Sequence, residues 1–206
     1  MWVPFCIGLL DMNIGRIYYP VKVLGYGNRI GIWVCGCNQN CQNCASPELR
    51  NASNGMAITT DEIMTLVNSI NGPIDGVTIS GGEPFLQVDE LAVLVDKFIQ
   101  RGIDDIIIYT GYIYETLLKY RATEEILNNI SVLIDGSYIS RLDDGIGIRG
   151  SSNQKIHIFR YYDRYKNADK CKRQMQTIVM DTHITYIGIP NERKKYEYNR
   201  LRYNGN

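Results

Sequence analysis

Three cysteines stand close together in one short segment of the chain, at Cys37, Cys41 and Cys44. Their spacing, C-x-x-x-C-x-x-C, lets a single loop bring the three thiols together. Thiolates are soft ligands that suit iron–sulfur clusters, zinc and copper(I). A cubane iron–sulfur cluster usually takes four cysteines, so three would leave one iron with an open position for a small molecule, as in catalytic metal sites. The spacing therefore predicts a [4Fe–4S] cluster bound by these three residues.

A structural zinc ion is the competing interpretation of the same loop. Such a site needs four ligands, and the two histidines of the chain lie more than a hundred residues away. Cys35 could supply a fourth thiolate, since it stands two residues before Cys37, where alternation along a strand puts both side chains on one face. Otherwise Cys35, Cys6 and Cys171 are expected to be small buried apolar residues.

A second segment with the composition of a ligand site is Ser80-Gly81-Gly82-Glu83-Pro84. Paired glycines let the backbone approach a ligand closely, and free carbonyls together with a carboxylate could accept hydrogen bonds from an ammonium group. A tight turn between a strand and a helix would explain the same residues without a ligand. Its position after the three-cysteine loop favours the ligand interpretation.

The elements that must position these two loops alternate between strands and helices. Short apolar, β-branched runs predict strands at residues 29–34, 76–80, 105–109, 131–134 and 155–159. Apolar residues at intervals of three and four predict helices at residues 59–70, 91–98, 113–120 and 123–127. Thr59 and Glu62 form a predicted capping box at the start of the first helix. This alternation predicts an α/β fold with a mostly parallel sheet and right-handed crossovers.

The unusual loops of the chain all follow predicted strands. In open parallel sheets, ligands bind beyond the carboxyl ends of the strands. The cysteine loop, residues 80–84 and the segment Tyr109-Thr110-Gly111-Tyr112 all fall at such ends. We therefore expect them to build one shared site.

The bulk composition is that of one globular domain. The chain has 206 residues, 45% apolar and 21% charged, with zero formal net charge, so neither nucleic acid nor an anionic membrane is an expected partner. No apolar run reaches the roughly 18 residues that span a bilayer. Four of six cysteines lie within ten residues, which favours metal ligation in a reducing compartment over a disulfide framework. We expect a cytoplasmic protein.

Three regions are expected along the chain: residues 1–12 as an N-terminal extension, residues 13–159 as the folded domain, and residues 160–206 as a basic, tyrosine-rich C-terminal extension. The last region holds eleven Lys or Arg against five Asp or Glu. It is expected to be either a solvated surface or a docking surface for a partner.

The two loops together resemble the radical S-adenosylmethionine superfamily, whose hallmark is C-x-x-x-C-x-x-C followed by a GGE or GGD segment. Over about residues 13–159, the chain is similar to the activating proteins of anaerobic (class III) ribonucleoside-triphosphate reductase. The segments that carry this resemblance are Tyr18-Tyr19-Pro20-Val21, Gly25-Tyr26-Gly27, Arg29, Gly36-Cys37, Tyr109-Thr110-Gly111-Tyr112, Val132-Leu133-Ile134-Asp135-Gly136 and Arg149-Gly150-Ser151-Ser152-Asn153-Gln154. Residues 160–206 have no counterpart in the small members of this family.

The resemblance implies a partial βα barrel that binds S-adenosylmethionine beside the cluster. It implies contacts from the backbone around the last cysteine to the nucleoside, and from the glycine loop to the methionyl ammonium. Thr110 would contact the ligand or, as an alternative, cap a helix. The implied cofactor-binding residues are Asn43, Ala45, Gly81, Gly82, Glu83 and Thr110.

The implied reaction starts with an electron from a flavodoxin-like or ferredoxin-like donor. Reductive cleavage of S-adenosylmethionine then yields a 5′-deoxyadenosyl radical, which takes a hydrogen from a glycine Cα in the large reductase subunit. The setting must be anaerobic. Arg29 is expected to be a surface or sheet-edge charge, and residues 149–154 either shape the partner surface or pack as a local polar turn.

Two other functions compete with this one. The chain could be a radical S-adenosylmethionine enzyme for a different glycyl-radical enzyme, a peptide or a small molecule. It could also be an iron–sulfur electron carrier or a zinc-binding module without enzymatic activity. The carrier hypothesis predicts that S-adenosylmethionine does not bind and that changes at Gly82 and Glu83 are tolerated.

Overall fold

The computed structural model describes residues 11–180 and 183–190. Its strands are β1 (Asp11–Val21), β2 (Arg29–Val34), β3 (Met56–Thr59), β4 (Gly76–Gly81), β5 (Ile106–Tyr109), β6 (Val132–Asp135), β7 (Lys155–Ile158), β8 (Met175–Met180) and β9 (His183–Gly188). Its α-helices are α1 (Thr60–Asn68), α2 (Val88–Gln100), α3 (Tyr114–Leu117), α4 (Arg121–Asn129) and α5 (Tyr162–Tyr165).

The centre of the fold is a seven-stranded sheet in the order β3-β1-β2-β4-β5-β6-β7. Strands β2, β4, β5 and β6 pair in parallel, while β1, β3 and β7 pair antiparallel at the two sides. All five predicted strands are present, and the prediction of an α/β fold with a mostly parallel sheet is confirmed. Strands β1 and β3 were not predicted, because their mixed polarity gives no clear alternating pattern.

The first two helices follow their predicted patterns closely. The hydroxyl of Thr59 accepts a hydrogen bond from the Glu62 amide, and the Glu62 carboxylate accepts one from the Thr59 amide, so the predicted capping box is confirmed. Ile63 and Val67 are buried, but Leu66 is 50% exposed, so the apolar face of α1 is narrower than predicted. In α2, all four predicted core residues are buried: Leu91, Leu94, Val95 and Phe98.

The third predicted helix is shorter than its pattern, and the fourth is longer. Helix α3 covers only Tyr114–Leu117, because Tyr120 adopts an extended conformation and serves as the N-cap of α4. The hydroxyl of Thr123 donates to the backbone carbonyls of Leu117 and Tyr120, which fixes this break. Ile126 is buried on the inner face of α4.

The packed structure includes Asp11 and Met12, the last two residues of the expected N-terminal extension. Strand β1 begins at Asp11, which pairs with Thr59 of β3, and the Met12 side chain is fully buried in the main core. Residues 1–10, including Cys6, lie outside the described residues.

Packed structure also continues beyond residue 159, within the expected C-terminal extension. Helix α5 buries Tyr165 against β5 and β6, and strand β9 buries Ile187 against Val21 and Trp33. Strands β8 and β9 form an antiparallel hairpin. Residues 191–206, which carry much of the predicted basic character, lie outside the described residues. In the described part of the chain, no helix has the length and apolar character to cross a membrane.

Arg29 is fully buried, contrary to the expectation of a surface or sheet-edge charge. Its guanidinium donates to the Thr78 hydroxyl at 2.7 Å and to the carbonyls of Val77 and Asp105 at 2.6 and 2.7 Å. It also lies 3.4 Å from the Asp105 carboxylate and donates to the Tyr165 hydroxyl at 3.1 Å. Arg29 is the first residue of β2, which has a neighbouring strand on each side, β1 and β4. Its guanidinium therefore lies inside the fold, where Asp105 pairs with its charge.

Candidate active site

An open cleft lies beyond the carboxyl ends of the parallel strands. Its walls include the cysteine loop after β2, residues 80–83 after β4, residues 109–111 around the end of β5 and Gly136 after β6. The cleft is open to solvent, and the space inside it has a volume of about 170 Å³. The three loops therefore lie around one cleft, as predicted.

The cysteine loop is fixed to the body of the protein through its backbone. The Gly36 amide donates to the Leu49 carbonyl at 2.9 Å, and the Cys37 amide donates to the Arg50 carbonyl at 3.0 Å. The Arg50 guanidinium in turn donates to the Cys41 carbonyl. These bonds hold the loop in shape without using the thiols, so the sulfur atoms remain available as ligands.

The three cysteines of the loop are free, half-buried and line the same cleft. Burial raises the pKa of the Cys37 thiol; a hydrogen bond at the Gln39 backbone opposes this, while Glu83, Cys44 and Cys41 raise the pKa further. The protein alone therefore does not favour the thiolate of Cys37. Bound iron would supply the positive charge that stabilises it, since metal coordination deprotonates thiols.

The donors of the loop are all thiols, which suit an iron–sulfur cluster. A cubane binds each cysteine through a different iron, so its three thiols need not converge on one point. The loop therefore fits the predicted [4Fe–4S] cluster.

Cys35 does not share the site of the other cysteines. It follows the end of β2, is buried and packs in a cluster with Leu49, Trp33 and Ile187. The expectation that it faces the same way as Cys37 is wrong, because the positive φ of Gly36 turns the chain between them. Cys35 is the small apolar residue that was expected as the alternative to a zinc ligand, whereas Cys171 is only half-buried.

The paired glycines are required by the close packing of the loop itself. The Gly82 amide donates to the Val34 carbonyl at 2.7 Å, and the Glu83 amide donates to the Gly36 carbonyl at 2.8 Å. Gly81 has a φ of 108°, and a Cβ at Gly82 would collide with the Gly36 carbonyl. A side chain at Gly82 would separate the glycine loop from the cysteine loop, and one at Gly81 would collide with the Val34 backbone of β2.

Glu83 connects two of the strand ends. Its side chain is fully buried and accepts hydrogen bonds from the Phe85 amide at 3.1 Å, the Thr110 hydroxyl at 2.8 Å and the Gly111 amide at 2.7 Å. Burial raises the pKa of this carboxyl despite the three donors. Thr110 also accepts from the Tyr112 amide, but the N-cap of α3 is Ile113, so Thr110 is not the helix cap that was considered as an alternative.

Replacing Glu83 by glutamine is expected to destabilise the fold by about 1–3 kcal/mol, because the amide nitrogen of glutamine would face a donor that now has an acceptor. The measurement is anaerobic urea unfolding. Glu115→Gln is the matched control, since the Glu115 side chain is 60% exposed and should change stability by less than about 0.5 kcal/mol. Equal effects of the two changes would contradict the role of Glu83 as a buried acceptor.

Most of the predicted site residues meet in the cleft. Its lining contains the three cysteines together with Ala45, Gly81, Gly82, Glu83 and Thr110. Asn43 is exposed, has a φ of 56° and does not line the cleft. Sequence reasoning missed several lining residues, among them Leu24, Trp33, Gln39, Asp143 and Ile189.

Residues 149–154 form a local polar turn beside the cleft. The Gln154 amide group donates to the Gly136 carbonyl at 2.6 Å and accepts from the Gly150 amide at 2.7 Å. The Ser151 hydroxyl accepts from the Ile139 amide. The side chains thus serve local packing, while Gly150 and Gln154 also line the cleft.

The comparisons with known proteins agree with this site. The family described as "4Fe-4S single cluster domain" matches residues 23–157. The anaerobic ribonucleoside-triphosphate reductase-activating protein of Enterobacteria phage T4 is 33% identical over 149 residues, covering 70% of this chain and 93% of that protein. The protein of the same name from Escherichia coli (strain K12) is 32% identical, with 69% and 97% covered. The pyruvate formate-lyase-activating enzyme of Clostridium pasteurianum is 31% identical, with 68% and 61% covered.

The two reductase-activating proteins are matched over 93% and 97% of their length, and the family match includes all three cysteines and the glycine loop. The chain therefore belongs to the family of anaerobic ribonucleoside-triphosphate reductase-activating proteins.

Proposed function

We propose that this protein is a radical S-adenosylmethionine activase that generates a glycyl radical on the large subunit of an anaerobic ribonucleoside-triphosphate reductase. The observation that carries the proposal is the meeting of three free thiols and a Gly-Gly-Glu loop in one cleft. The names of the relatives support the identity of the target.

Each part of the cleft has a distinct role in this proposal. Cys37, Cys41 and Cys44 hold the cluster and leave one iron open. When bound, the cluster and S-adenosylmethionine supply the reductive cleavage that gives a 5′-deoxyadenosyl radical. The chain contributes binding, orientation and the exclusion of water from the cleft.

Glu83 can contribute to binding the methionyl ammonium. Its buried carboxylate holds the Thr110 hydroxyl and the Gly111 amide in place, so it would fix the strand end against which the ammonium binds. Gly81 and Gly82 line the cleft with backbone alone, so the ligand can approach their carbonyls. Ala45 follows the last cysteine and lines the cleft, so in this proposal its backbone would contact the nucleoside.

The proposal also includes the shape of the fold, the electron donor and the cellular setting. The twisted sheet would form a partial βα barrel that stays open on one side for a protein substrate. A flavodoxin-like or ferredoxin-like protein would supply the electron. The protein would work in anaerobic cytoplasm, where oxygen attacks neither the cluster nor the product radical.

The test is anaerobic reconstitution of the full chain with iron and sulfide, followed by reduction with dithionite. Addition of S-adenosylmethionine should change the electron paramagnetic resonance signal of the reduced cluster and release 5′-deoxyadenosine. A further addition of the large reductase subunit should give a glycyl-radical signal. A cluster that is indifferent to S-adenosylmethionine would overturn the proposal.

A second target is favoured by one comparison. The match to a pyruvate formate-lyase-activating enzyme makes another glycyl-radical enzyme the alternative substrate. The two targets are distinguished by adding each large subunit separately to the reduced, loaded protein and comparing the yield of glycyl radical per chain.

A further inference from the structure

The C-terminal segment, residues 160–190, supplies part of the cleft although the family match ends at residue 157. Gly188, Ile189 and Pro190 line the cleft together with Leu24 and Trp33 of the matched region. The alignments cover 93–97% of the activating proteins but only 69–70% of this chain. This wall of the cleft therefore lies outside the region that the family match covers.

The start of the C-terminal segment is anchored to the parallel sheet. The Tyr165 hydroxyl donates to the Asp105 carboxylate at 2.8 Å and accepts from Arg29. Arg164 pairs with the same carboxylate. Asp105, a buried acid within the region that the family match covers, therefore holds helix α5 at the start of the C-terminal segment.

The hairpin of β8 and β9 is anchored to β1. The Gln176 side chain donates to the Pro20 carbonyl at 2.8 Å and accepts from the Lys22 amide at 3.0 Å. The hydroxyls of Tyr18 and Thr185 lie 3.2 Å apart. The position of the wall is therefore set by both ends of the segment.

Arg173 joins this wall to the polar turn beside the cleft. Its side chain is buried and pairs with the buried Asp143 carboxylate at 2.6 Å. It also donates to the carbonyls of Arg149 and Gly150 at 2.7 and 2.9 Å, and to that of Pro190 at 3.4 Å. Buried ion pairs with further hydrogen bonds hold one geometry, because breaking them leaves an uncompensated charge. Pro190 and Gly150 are thus fixed relative to each other across the cleft wall.

The lining of the cleft combines polar side chains with much bare backbone. Six of its lining positions are glycines: Gly81, Gly82, Gly111, Gly136, Gly150 and Gly188. Such a surface offers backbone donors and acceptors to an extended polypeptide and leaves little room for bulky side chains. The apolar side chains of Leu24, Trp33 and Ile189 in the same lining favour a loop of small residues.

We propose that the C-terminal segment determines which polypeptide loop enters the cleft: it admits a narrow, extended loop with small residues around its central glycine and excludes loops with bulky flanking side chains. Arg173 is the positioning residue of this wall, and Ile189 is the side chain that limits its width. The inference rests on the proposed function, since the loop is that of the glycyl-radical subunit.

The test uses the full chain, reconstituted anaerobically, and two fluorescein-labelled peptides. One peptide is copied from the glycine loop of the large reductase subunit, and the other carries tryptophan beside that glycine. Fluorescence anisotropy gives the Kd of each peptide. For the unaltered protein, the tryptophan peptide is expected to bind at least about tenfold more weakly, which corresponds to roughly 1.4 kcal/mol.

Two changes at Ile189 should alter the Kd values in different ways. Ile189→Ala should reduce the ratio of the two Kd values to below about threefold, and Ile189→Trp should weaken both peptides by at least about tenfold. The same pattern should appear in KM for the large subunit rather than in kcat. The control is Val179→Trp on the same hairpin, whose side chain is 74% exposed and lies outside the cleft lining; it should leave both Kd values unchanged.

The outcomes separate this inference from the proposed function. Equal Kd ratios for the unaltered protein, Ile189→Ala and Val179→Trp would overturn the inference, as would failure of the unaltered protein to bind either peptide. Release of 5′-deoxyadenosine by the unaltered protein without any peptide tests the proposed function alone. If Ile189→Trp fails to fold, Ile189→Ala still decides the matter.

Discussion

Replacement of Cys41 by alanine is expected to abolish both the cluster and the cleavage of S-adenosylmethionine. Losing a group that only orients a metal ligand costs about 10–100-fold in affinity or activity, so losing one of three ligands should exceed 100-fold. The measurements are iron and sulfide content after anaerobic reconstitution, the electron paramagnetic resonance signal after reduction, and 5′-deoxyadenosine release.

Cys171→Ala is the matched control for this experiment. Cys171 is a free, half-buried cysteine like Cys41, but it lies outside the lining of the candidate active site. The control should retain the full iron content and the full rate of cleavage. A Cys41→Ala protein that keeps the cluster and its response to S-adenosylmethionine would contradict the assignment of the ligands.

Replacement of Arg29 by methionine is expected to give the largest loss of stability, about 3–5 kcal/mol, because it leaves the buried Asp105 carboxylate without its main compensating charge. Arg164 also pairs with this carboxylate, but its side chain is 42% exposed, so it replaces little of the lost interaction. The free energy of unfolding is measured by anaerobic urea titration followed by circular dichroism.

Lys155→Met is the control for the loss of a positive charge. Lys155 lies 3.6 Å from Glu115, and both side chains are at least 60% exposed, so this pair should contribute at most about 1 kcal/mol. A loss below about 1 kcal/mol for Arg29→Met would show that the carboxylate does not depend on the buried guanidinium, in conflict with the observed contacts.

The effect of Arg29→Met should also reach the C-terminal segment. Arg29 donates to the Tyr165 hydroxyl, and the same hydroxyl donates to Asp105. Burial raises the pKa of Tyr165, so this residue is a neutral hydrogen-bond partner that cannot replace the lost charge. The network thus links the stability of the sheet to the position of the C-terminal wall of the cleft.

The sequence by itself determined the chemistry of the site and the elements that carry it. Three cysteines in one loop select a soft metal or cluster, whatever the rest of the fold does. The period of the apolar residues in α2 and the capping box at Thr59 and Glu62 are local patterns, because backbone geometry repeats within one helix. The five predicted strands are short apolar runs, and such runs are buried wherever helices cover both faces of a sheet.

Only the tertiary structure decided which distant residues meet. Asn43 and Ala45 flank the same cysteine in the sequence, yet only Ala45 lines the cleft. The burial of Arg29 depends on an acid 76 residues away along the chain. Glu83 was predicted as a ligand contact, but its three donors come from two separate loops that the sheet brings together.

The wall formed by Gly188, Ile189 and Pro190 is the clearest example of a feature that local sequence does not predict. No local pattern marks these residues as part of a site, and strands β8 and β9 were not predicted. Their place in the cleft follows from hydrogen bonds and apolar contacts to β1, which lies more than 150 residues earlier. Local sequence fixes what a segment can form, whereas contacts between distant segments fix where it lies.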